Sequence, residues 1–387
     1  MTNDKYIQFV TEHAGDDPGR LLLSADRWPD VDVRRAARNI AARAKIRTKL
    51  PSWYEHPELE YPGSLPLEQA SSEATALYKQ AFVPKGARIA DLTGGLGVDC
   101  WFMSRQAAEA HYCELSSDLC AAARHNFEAL GDASISVHEG DGIEWLKQQP
   151  GHFDLIYLDP ARRDASARRV YDIADCEPNL LAVKDLLFSK ARSVLAKISP
   201  MADISRTLAQ FPEARELHVV ATSGEVKELL LLLEPGSDVE PLIVAHDAPH
   251  HFEFRPSEEP QAEVRYATNI CKYLFQPSKA VLKAGAFRLL AERFHLEKLA
   301  PSTHLYTADT IPEEFPGKCF EVESVLDWSK ASLRQLKQTY DRLEMTALNF
   351  PLATDALRER TGIPGGGTHH LFATTLADGS KKLIICS

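Results

Sequence analysis

The sequence lacks the features that would place it in a membrane or in an oxidising compartment. Its seven cysteines are odd in number and no two stand in C-x-x-C spacing, so neither a disulfide framework nor a zinc site is indicated. The most apolar run, Leu229–Leu233, is far too short to cross a bilayer. Residues 1–30 are polar and acidic and do not have the apolar core of a signal peptide. We therefore expect a cytoplasmic protein with no membrane partner and no bound metal.

The chain is also short of positive charge. It has 44 lysines and arginines against 55 aspartates and glutamates, which gives a formal net charge of −11. A surface covered with nucleic-acid contacts is not expected at this charge, although a local basic surface is compatible with it. The 387 residues are 44% hydrophobic and 26% charged, as in an ordinary globular protein. This length predicts two or three domains.

Residues 89–104, IADLTGGLGVDCWFMS, combine a short apolar strand, a glycine turn and an apolar helix. The turn is not the dinucleotide fingerprint, because Cys100 stands where the third glycine belongs, and the G-K-[ST] of a P-loop is also missing. Glycines here let the backbone approach a ligand, and the helix N-terminus presents free N–H groups. With Asp91 at the strand end, the stretch resembles the first motif of class I S-adenosylmethionine (SAM) methyltransferases. Packing alone can also explain such a turn.

From Ala87 onward, strand and helix patterns alternate, which predicts an α/β fold with a mostly parallel, Rossmann-like sheet. Strands are expected near 87–91, 110–114, 134–138, 153–159, 193–199 and 215–221. Helices are expected near 98–107, 117–130, 142–148, 179–190 and 202–210. We predict Lys227–Leu233 as a further, antiparallel strand, with a buried helix as the alternative. Upstream, helices are predicted over 31–50, opened by Asp30 or Asp32, and over 67–80, with Ser71 or Ser72 as the N-cap.

Four acidic residues follow successive predicted strands, where the ligands of a parallel sheet gather. They are Asp91, Glu114, Asp141 and Asp159. For SAM, we expect Asp91 to contact the amino group of the methionine moiety, Glu114 the ribose hydroxyls and Asp141 the adenine amino group. The loop residues Thr93, Gly94, Gly95 and Gly97 would hold the adjacent carboxylate and amine. Taken singly, each acid could equally be a helix cap or a surface residue.

The fourth predicted strand ends in FDLIYLDPARRD, residues 153–164. Methyl transfer is an in-line displacement, so positioning the nucleophile supplies most of the acceleration. We expect Asp159 to accept a hydrogen bond from the nucleophile and take its proton, with the Pro160 carbonyl as a second acceptor. Arg162 and Arg163 could bind an anionic substrate, or Arg162 could stack on a base. Alternatively, both arginines pair with nearby aspartates. The loop has no cysteine for covalent attack on a pyrimidine.

The predicted helix over 31–50 is strongly basic. Its positive residues are Arg34, Arg35, Arg38, Arg43, Lys45, Arg47 and Lys49. Arg34, Arg38, Lys45 and Lys49 share one face at helical spacing. Arg34 and Arg38 are our candidates for contacts to a phosphate backbone. A solvated helix face is the alternative.

Motifs along nearly the whole chain resemble a bacterial family of class I methyltransferases with a small ferredoxin-like insert and a C-terminal THUMP-like domain. The motifs are LPLEQASSEATALYK, DLTGGLGVD, YLDPARR, KISPMADI, GEVKELL, KAGAF, THLYTAD, NFPL and GGGTHHLFAT. The resemblance implies four regions, which are a helical N-terminal region over 1–70, a SAM-dependent methyltransferase domain over 71–248, a ferredoxin-like region over 249–312 and a THUMP-like domain over 313–387. The last two would form a small α+β part that ends in a β-hairpin, Leu371–Leu376 with Leu383–Cys386.

THUMP-containing enzymes act on structured RNA, so the resemblance implies a methyltransferase of a tRNA or rRNA base. The fourth motif departs from the amino-methylating pattern of Asp or Asn, two prolines and an aromatic, because Ala161 and Arg162 stand in the last two places. A ring nitrogen or another acceptor therefore remains open. The acidic net charge favours a second hypothesis, a methyltransferase of a protein or small molecule. A non-catalytic RNA-binding protein is a third.

The block Glu68, Gln69, Ser71, Ser72, Glu73 and Thr75 precedes the first strand. It could close over the cofactor, and helix capping explains its serines equally well.

Overall fold

The computed structural model of the chain describes residues 3–132, 134–162, 173 and 176–387. It divides into two compact units. Unit 1 comprises Met1–Glu216 and Glu228–Val239, and unit 2 comprises Leu217–Lys227 and Glu240–Ser387. Within the described ranges, each helix is too short or too polar to span a bilayer.

Unit 1 begins with helices. They are α1 (Asn3–Glu12), α2 (Pro18–Leu23), α3 (Val33–Ile46), α4 (Pro51–Tyr54), α5 (Ser64–Gln69) and α6 (Glu73–Gln80). The predicted basic helix is found as α3, and the Asp32 side chain caps it by accepting a hydrogen bond from the Arg35 N–H. Pro51 opens the next helix, α4, where its missing N–H costs no hydrogen bond. The apolar face of α3 packs on α1 in a small core that includes Phe9 and Ile40.

The single helix predicted over 67–80 is wrong, because the structure has α5 and α6 with a break between them. Ala70 and Ser72 have extended backbone angles, with ψ of 151° and 159°. The Ser72 hydroxyl accepts a hydrogen bond from the Thr75 N–H, so Ser72 is the N-cap of α6. A serine that caps one helix cannot continue the preceding one, since its side chain replaces the helical backbone bond.

The strands from Ala87 to Leu233 that form the first sheet are β1 (Ala87–Asp91), β2 (Ala107–Glu114), β3 (Ile135–Glu139), β4 (Phe153–Leu158), β7 (Ala191–Ile198), β8 (Ala214–Thr222) and β9 (Glu225–Leu233). The helices between them are α7 (Val98–Ser104), α8 (Ser117–Ala129), α9 (Gly142–Gln148), α10 (Leu180–Lys190) and α11 (Ile204–Gln210). Two short strands, β5 (Ala161–Arg162) and β6 (Cys176–Glu177), pair antiparallel after β4.

Within unit 1 the main sheet has the order β3-β2-β1-β4-β7-β9. All its pairs are parallel except the last, in which Ile198 to Val194 of β7 run opposite Leu229 to Leu233 of β9. The antiparallel strand predicted over 227–233 is thus confirmed. β1 lies between β2 and β4, so the carboxyl ends of these three strands lie side by side. The expected site residues Asp91, Glu114 and Asp159 stand at those ends.

From Glu240 onward, unit 2 continues with a hairpin of β10 (Leu242–Asp247) and β11 (His250–Phe254). An eight-stranded sheet follows, in the order β12-β14-β15-β13-β16-β19-β18-β17. Its strands are β12 (Arg265–Tyr266), β13 (Tyr273–Pro277), β14 (Glu297–Ala300), β15 (Thr303–Ala308), β16 (Gly317–Asp327), β17 (Glu344–Leu348), β18 (His370–Thr375) and β19 (Lys381–Cys386). Its helices are α12 (Glu258–Gln261), α13 (Lys279–Ala284), α14 (Arg288–Arg293), α15 (Lys330–Thr339) and α16 (Thr354–Thr361).

The predicted fold class, an α/β sheet with a helical N-terminal region and a C-terminal α+β part, is confirmed. The predicted terminal hairpin is also found, with β18 and β19 antiparallel. The helix α15 ends at Thr339, because Tyr340 has extended angles (φ −122°, ψ 123°) and the chain continues into β17.

Candidate functional site

The glycine turn after β1 packs against the aromatic rings of Tyr112 and Phe127. A side chain at Gly94 would overlap the ring of Tyr112, and a Cβ at Gly97 would lie 2.8 Å from the Phe127 ring. Gly97 also has a φ of +88°, which favours glycine. At Gly95 a Cβ would meet only the Thr93 carbonyl oxygen, at 3.9 Å. Packing therefore requires two of the glycines, while Gly95 lies on the open side of the turn.

Glu114, at the end of β2, holds this turn in place. Its Oε2 accepts a hydrogen bond from the Gly95 N–H at 2.9 Å, and its Oε1 accepts one from the Ser116 N–H at 2.8 Å. The Tyr112 hydroxyl donates to the Gly95 carbonyl at 2.6 Å. Because Glu114 is only partly buried, its carboxylate can still accept further hydrogen bonds from a ligand beside the loop.

Asp91, at the end of β1, is buried at 1% exposure. Its Oδ1 accepts a hydrogen bond from the Thr93 N–H at 3.0 Å. No lysine, arginine or histidine among the described residues forms an ion pair with it. Burial raises the pKa of this carboxyl well above its ordinary value, and the nearby acids Asp99, Asp159 and Glu114 raise it further. A bound cation would relieve both effects, so the position favours a positively charged ligand group.

Thr93 joins the ends of two strands. Its hydroxyl accepts a hydrogen bond from the Asp159 N–H at 2.6 Å, which ties the turn after β1 to the turn after β4. Asp159 is 38% exposed at its side chain, and its Oδ2 lies 2.7 Å from the Lys197 ammonium. Pro160, which follows, is partly buried.

Of the two arginines predicted to contact substrate, Arg163 lies outside the described residues. The backbone of Arg162 pairs with Cys176 across β5 and β6, and its side chain is outside the described part of the chain. Their predicted roles therefore stay predictions.

Asp141 is the N-cap of α9, where its Oδ1 accepts hydrogen bonds from the Ile143 N–H at 2.7 Å and the Glu144 N–H at 3.1 Å. It is exposed. At the neighbouring Gly142, a side chain would collide with the backbone of Leu92, just after β1. This close approach, which the sequence did not reveal, brings the start of α9 against the end of β1. The capping role given above as the alternative is present, and an adenine contact by Asp141 stays a prediction.

Sequence reasoning missed a buried ion network beside these residues, formed by Lys79, Asp99, Asp159, Lys197 and Glu228. The Lys79 side chain is completely buried. Its ammonium group lies 2.6 and 2.8 Å from the two Glu228 carboxylate oxygens. Its other neighbours are the Ser71 hydroxyl at 3.1 Å and Asp99 Oδ1 at 3.3 Å. A lysine so deeply buried is stable only with such partners.

Asp99 and Lys197 extend the network to Asp159. Asp99 Oδ2 accepts hydrogen bonds from the Ser71 and Tyr157 hydroxyls at 2.8 and 2.9 Å. Burial alone would raise the pKa of Asp99, but Lys79 and the other partners outweigh it and the pKa is lowered. The Lys197 ammonium lies 2.7 Å from Asp159 and 4.0 Å from Glu228. Burial works against the charged form of Lys197, but the carboxylates around it raise its pKa, so it remains an ammonium.

The sequence holds weak signals for this network. Lys79 and Ser71 lie in the motif LPLEQASSEATALYK, Lys197 opens KISPMADI, and Glu228 in GEVKELL directly precedes the run of leucines that forms β9. A single acid at the edge of an apolar strand can be a surface residue, so its lysine partner, which is 149 residues away in the chain, was not predictable. In the same block, Glu73 accepts hydrogen bonds from the Ser52 N–H and hydroxyl.

The basic face of α3 is divided. Arg34 and Arg38 are exposed, and neither forms an ion pair with a described residue. Lys45 pairs with Glu68 at 2.7 Å, and Lys49 donates hydrogen bonds to the Leu67 and Glu68 carbonyls at 2.8 and 2.9 Å. The lysines are thus bound within unit 1, and the two arginines are available to an external anion.

Five carboxylates and two lysines gather around the ends of β1, β2 and β4. The carboxylates are Asp91, Asp99, Glu114, Asp159 and Glu228. The formal charge of this group is negative. Asp91 and Glu114, which have no ion-pair partner among the described residues, both accept hydrogen bonds from the glycine turn, at Thr93 and Gly95. The donor set fits a ligand with a positive charge and with hydroxyl groups for Glu114, as SAM has. Over the described ranges, no cluster of three His, Cys, Asp or Glu side chains could hold a metal ion.

Two domain families match the C-terminal part of the chain. Residues 273–316 match a ferredoxin-like domain, and residues 317–387 match a THUMP-like domain.

Relatives match over most of the chain. A candidate methyltransferase from Porphyromonas gingivalis W83, known as a crystal structure, is 36% identical, with a TM-score of 0.90 over 99% of this chain and 97% of that one. Two uncharacterized SAM-dependent methyltransferases, from Mycobacterium tuberculosis strains CDC 1551 and H37Rv, are each 26% identical over 318 residues. These alignments cover 81% of this chain and 84% of each relative.

Proposed function

Because the chain belongs to the family of SAM-dependent methyltransferases with a ferredoxin-like and a THUMP-like domain, we propose that its substrate is RNA. The match of residues 317–387 to the THUMP-like family carries this proposal. THUMP-containing enzymes act on structured RNA, and the step to this chain is an analogy between domains. The methyl donor is SAM, which supplies an electrophilic methyl group on a positively charged sulfur.

We propose that the residues around the glycine turn hold the cofactor. They are Asp91, Thr93, Gly94, Gly95, Gly97, Glu114 and Asp141. The buried Asp91 carboxylate would form an ion pair with the ammonium group of the methionine moiety. This positive charge would counteract the burial that raises the pKa of Asp91. Glu114 would accept hydrogen bonds from the ribose while it keeps hold of the Gly95 N–H. Asp141, exposed at the start of α9, would accept one from the adenine amino group.

The catalytic step would take place at Asp159 and Pro160, with Arg162 and Arg163 binding the substrate. Asp159 suits this role because Thr93 fixes its backbone and Lys197 fixes one of its carboxylate oxygens. The other oxygen, Oδ1, receives no hydrogen bond from any residue in the described ranges. It can therefore accept one from the nucleophile of a substrate.

Two basic surfaces support RNA as the substrate. One is the pair of exposed arginines on α3, Arg34 and Arg38. The other lies on α15 of the THUMP-like part, where Lys330, Arg334 and Lys337 stand at helical spacing and are exposed. Such local surfaces allow phosphate binding in a protein whose net charge is −11.

The test is methyl transfer from SAM labelled in its methyl group to total RNA from a strain in which the gene has been deleted. RNA from the parent strain is the control, since its target sites are already methylated. We expect the RNA of the deletion strain to accept label and that of the parent strain to accept far less. If neither RNA accepts label while the protein binds SAM in a calorimetric titration, the RNA proposal is wrong.

The net charge of −11 favours a second candidate, a methyltransferase of a protein or small molecule. It predicts negligible affinity for RNA even at low salt, where phosphate contacts are strongest. In an extract of the deletion strain, the label would then appear in protein or in small metabolites and would be absent from RNA.

A further inference from the structure

The buried ion network opens towards the site at one end. Glu228 and Lys79, at its inner end, have side chains 2% and 0% exposed, whereas Lys197 and Asp159 are 17% and 38% exposed. The end that a substrate can reach is thus a lysine and an aspartate in contact, at 2.7 Å. The proposed function uses the aspartate as the proton acceptor and gives the lysine only the role of holding one oxygen of that aspartate.

Lys197 cannot leave this position easily. Asp159 lies on one side of its ammonium group, and Glu228 lies at 4.0 Å on another. Glu228 is itself held by two hydrogen bonds from Lys79, which also lies 3.3 Å from Asp99. The network therefore fixes a positive charge directly beside Asp159. Because the surrounding carboxylates raise its pKa, Lys197 acts as a fixed cation and does not serve as a base.

A fixed cation next to the acceptor separates two classes of methyl acceptor. A hydroxyl group is a poor nucleophile until its proton is drawn away, and negative charge then builds up on its oxygen. A ring nitrogen or an amine attacks through a neutral lone pair, and positive charge builds up on the nitrogen. Lys197 stabilises the first kind of charge and opposes the second.

We propose that the methylated atom is a hydroxyl oxygen, that of a ribose 2′-OH in RNA, and that Lys197 is the group that stabilises the charge on this oxygen. The 2′-OH is the hydroxyl present on each nucleotide within an RNA chain and absent from DNA. This inference rests on the proposed function, because it takes RNA as the substrate. Ala161 and Arg162 depart from the amino-methylating pattern, which left the acceptor atom undetermined, and the inference assigns this atom to a hydroxyl oxygen.

In the proposed step, the hydroxyl donates its hydrogen bond to Asp159 Oδ1 while its oxygen approaches the methyl carbon. The oxygen lone pair forms the new O–C bond as the C–S bond breaks, and the electron pair of that bond stays on the sulfur as a neutral thioether. Asp159 takes the hydroxyl proton and releases it to water afterwards. Lys197 keeps its own proton throughout and positions Asp159 through Oδ2.

The first experiment locates the label with the wild-type protein. RNA from the deletion strain is methylated with SAM carrying a deuterated methyl group, digested to nucleosides and analysed by tandem mass spectrometry. We expect the label in the sugar fragment after the glycosidic bond breaks. Label in the base fragment overturns the hydroxyl inference and leaves RNA methylation standing. Label absent from all nucleosides overturns both.

The second experiment tests Lys197 itself. We expect Lys197→Met to lower kcat at least about 100-fold, as when one group that stabilises transition-state charge is removed, with little change in the KM for SAM. Lys197→Arg should retain about a tenth of the activity, because it keeps the charge and changes the geometry. SAM affinity measured by calorimetry should be unchanged in both.

The matched control is Lys184→Met, which removes a lysine paired with Glu213 at 2.7 Å on α10 and should keep wild-type kcat. A Lys197→Met protein that is folded, binds SAM and keeps wild-type kcat overturns the role of Lys197. If Lys197→Met does not fold, the Lys197→Arg protein and the location of the label decide the inference: label in the base overturns it, and label in the sugar supports it.

Discussion

Asp91 and Asp99 lie eight residues apart on either side of the glycine turn, and both are buried. They differ in their partners, because within the part of the chain that the structure describes only Asp99 lies beside a cation. Asp99 has Lys79, Ser71 and Tyr157 as partners, and its pKa is lowered. Asp91 has the Thr93 N–H, no cation among the described residues, and a raised pKa. A buried charge with a partner is part of the fold, whereas one without a partner marks the place where a ligand completes the structure.

The largest effect is expected from removing the buried ion pairs of Lys79. Lys79→Met removes the counter-charge of two buried carboxylates, so we expect a loss of about 3–5 kcal/mol in the free energy of unfolding. Chemical denaturation measures it. Lys184→Met, which breaks a partly exposed pair, should cost less than about 1 kcal/mol. Equal effects of the two substitutions would mean that burial does not distinguish these pairs.

The unpaired side is tested at Asp91. Asp91→Asn should weaken SAM binding about 100-fold, or about 2.8 kcal/mol, because the ammonium group loses its carboxylate. Stability without cofactor should not fall, since the substitution removes an unpaired buried charge. The matched variant, Asp99→Asn, should instead lower stability because it removes a partner of Lys79. Calorimetry and denaturation together decide, and a destabilised Asp91→Asn protein would contradict the comparison.

The pH dependence of stability sharpens the contrast. The pKa of Asp91 is raised on folding above the ordinary 3.8, so its contribution to stability is complete below about 3.8 and is lost as the pH rises through the folded value. Without cofactor, the free energy of unfolding of Asp91→Asn should therefore rise relative to that of the wild type by about 1–2 kcal/mol as the pH is raised from about 4 to neutral. Saturating SAM should cancel the gain. A difference that does not vary with pH would show that Asp91 is not desolvated.

The same contrast exists on the surface of α3, where Arg34 and Arg38 lack ion-pair partners in the described chain. Arg34→Glu combined with Arg38→Glu should weaken RNA binding about tenfold at moderate salt and reduce its salt dependence by about two phosphate contacts. SAM affinity should be unchanged. The control is Lys5→Glu with Lys147→Glu, which has the same charge change at exposed lysines already paired with Asp30 and Glu144. Equal weakening by both pairs would indicate a net-charge effect.

Periodicity predicted β1 to β4, β7 to β9 and the helices between them, because a central parallel strand is apolar along its whole length and an amphipathic helix repeats at its own spacing. The short strands β5 and β6 and the strands β10 to β17 were not predicted. Periodicity failed in predicting one helix over 67–80, because the apolar pattern continues across the break between α5 and α6, although Ser72 is an N-cap as predicted. The positions of Asp91, Glu114 and Asp159 followed from the rule that strand ends share one edge. The buried ion network did not follow from it, because Lys79 and Glu228 are 149 residues apart in the chain. The proposed acceptor chemistry rests on the contacts of Lys197 with Asp159 and Glu228, which the sequence did not predict.

The rings of Tyr112 and Phe127 below the glycine turn have an evolutionary consequence. Alanine at Gly94 would displace the aromatic ring of a residue 18 positions further on, so that change is tolerable only after position 112 has become smaller. Gly97 is linked in the same way to the Phe127 ring. Changes in the loop, the second strand and the helix after it are therefore expected to be coupled. Gly95 has space for a Cβ, but its φ of +55° favours glycine, so its backbone conformation restricts replacement there.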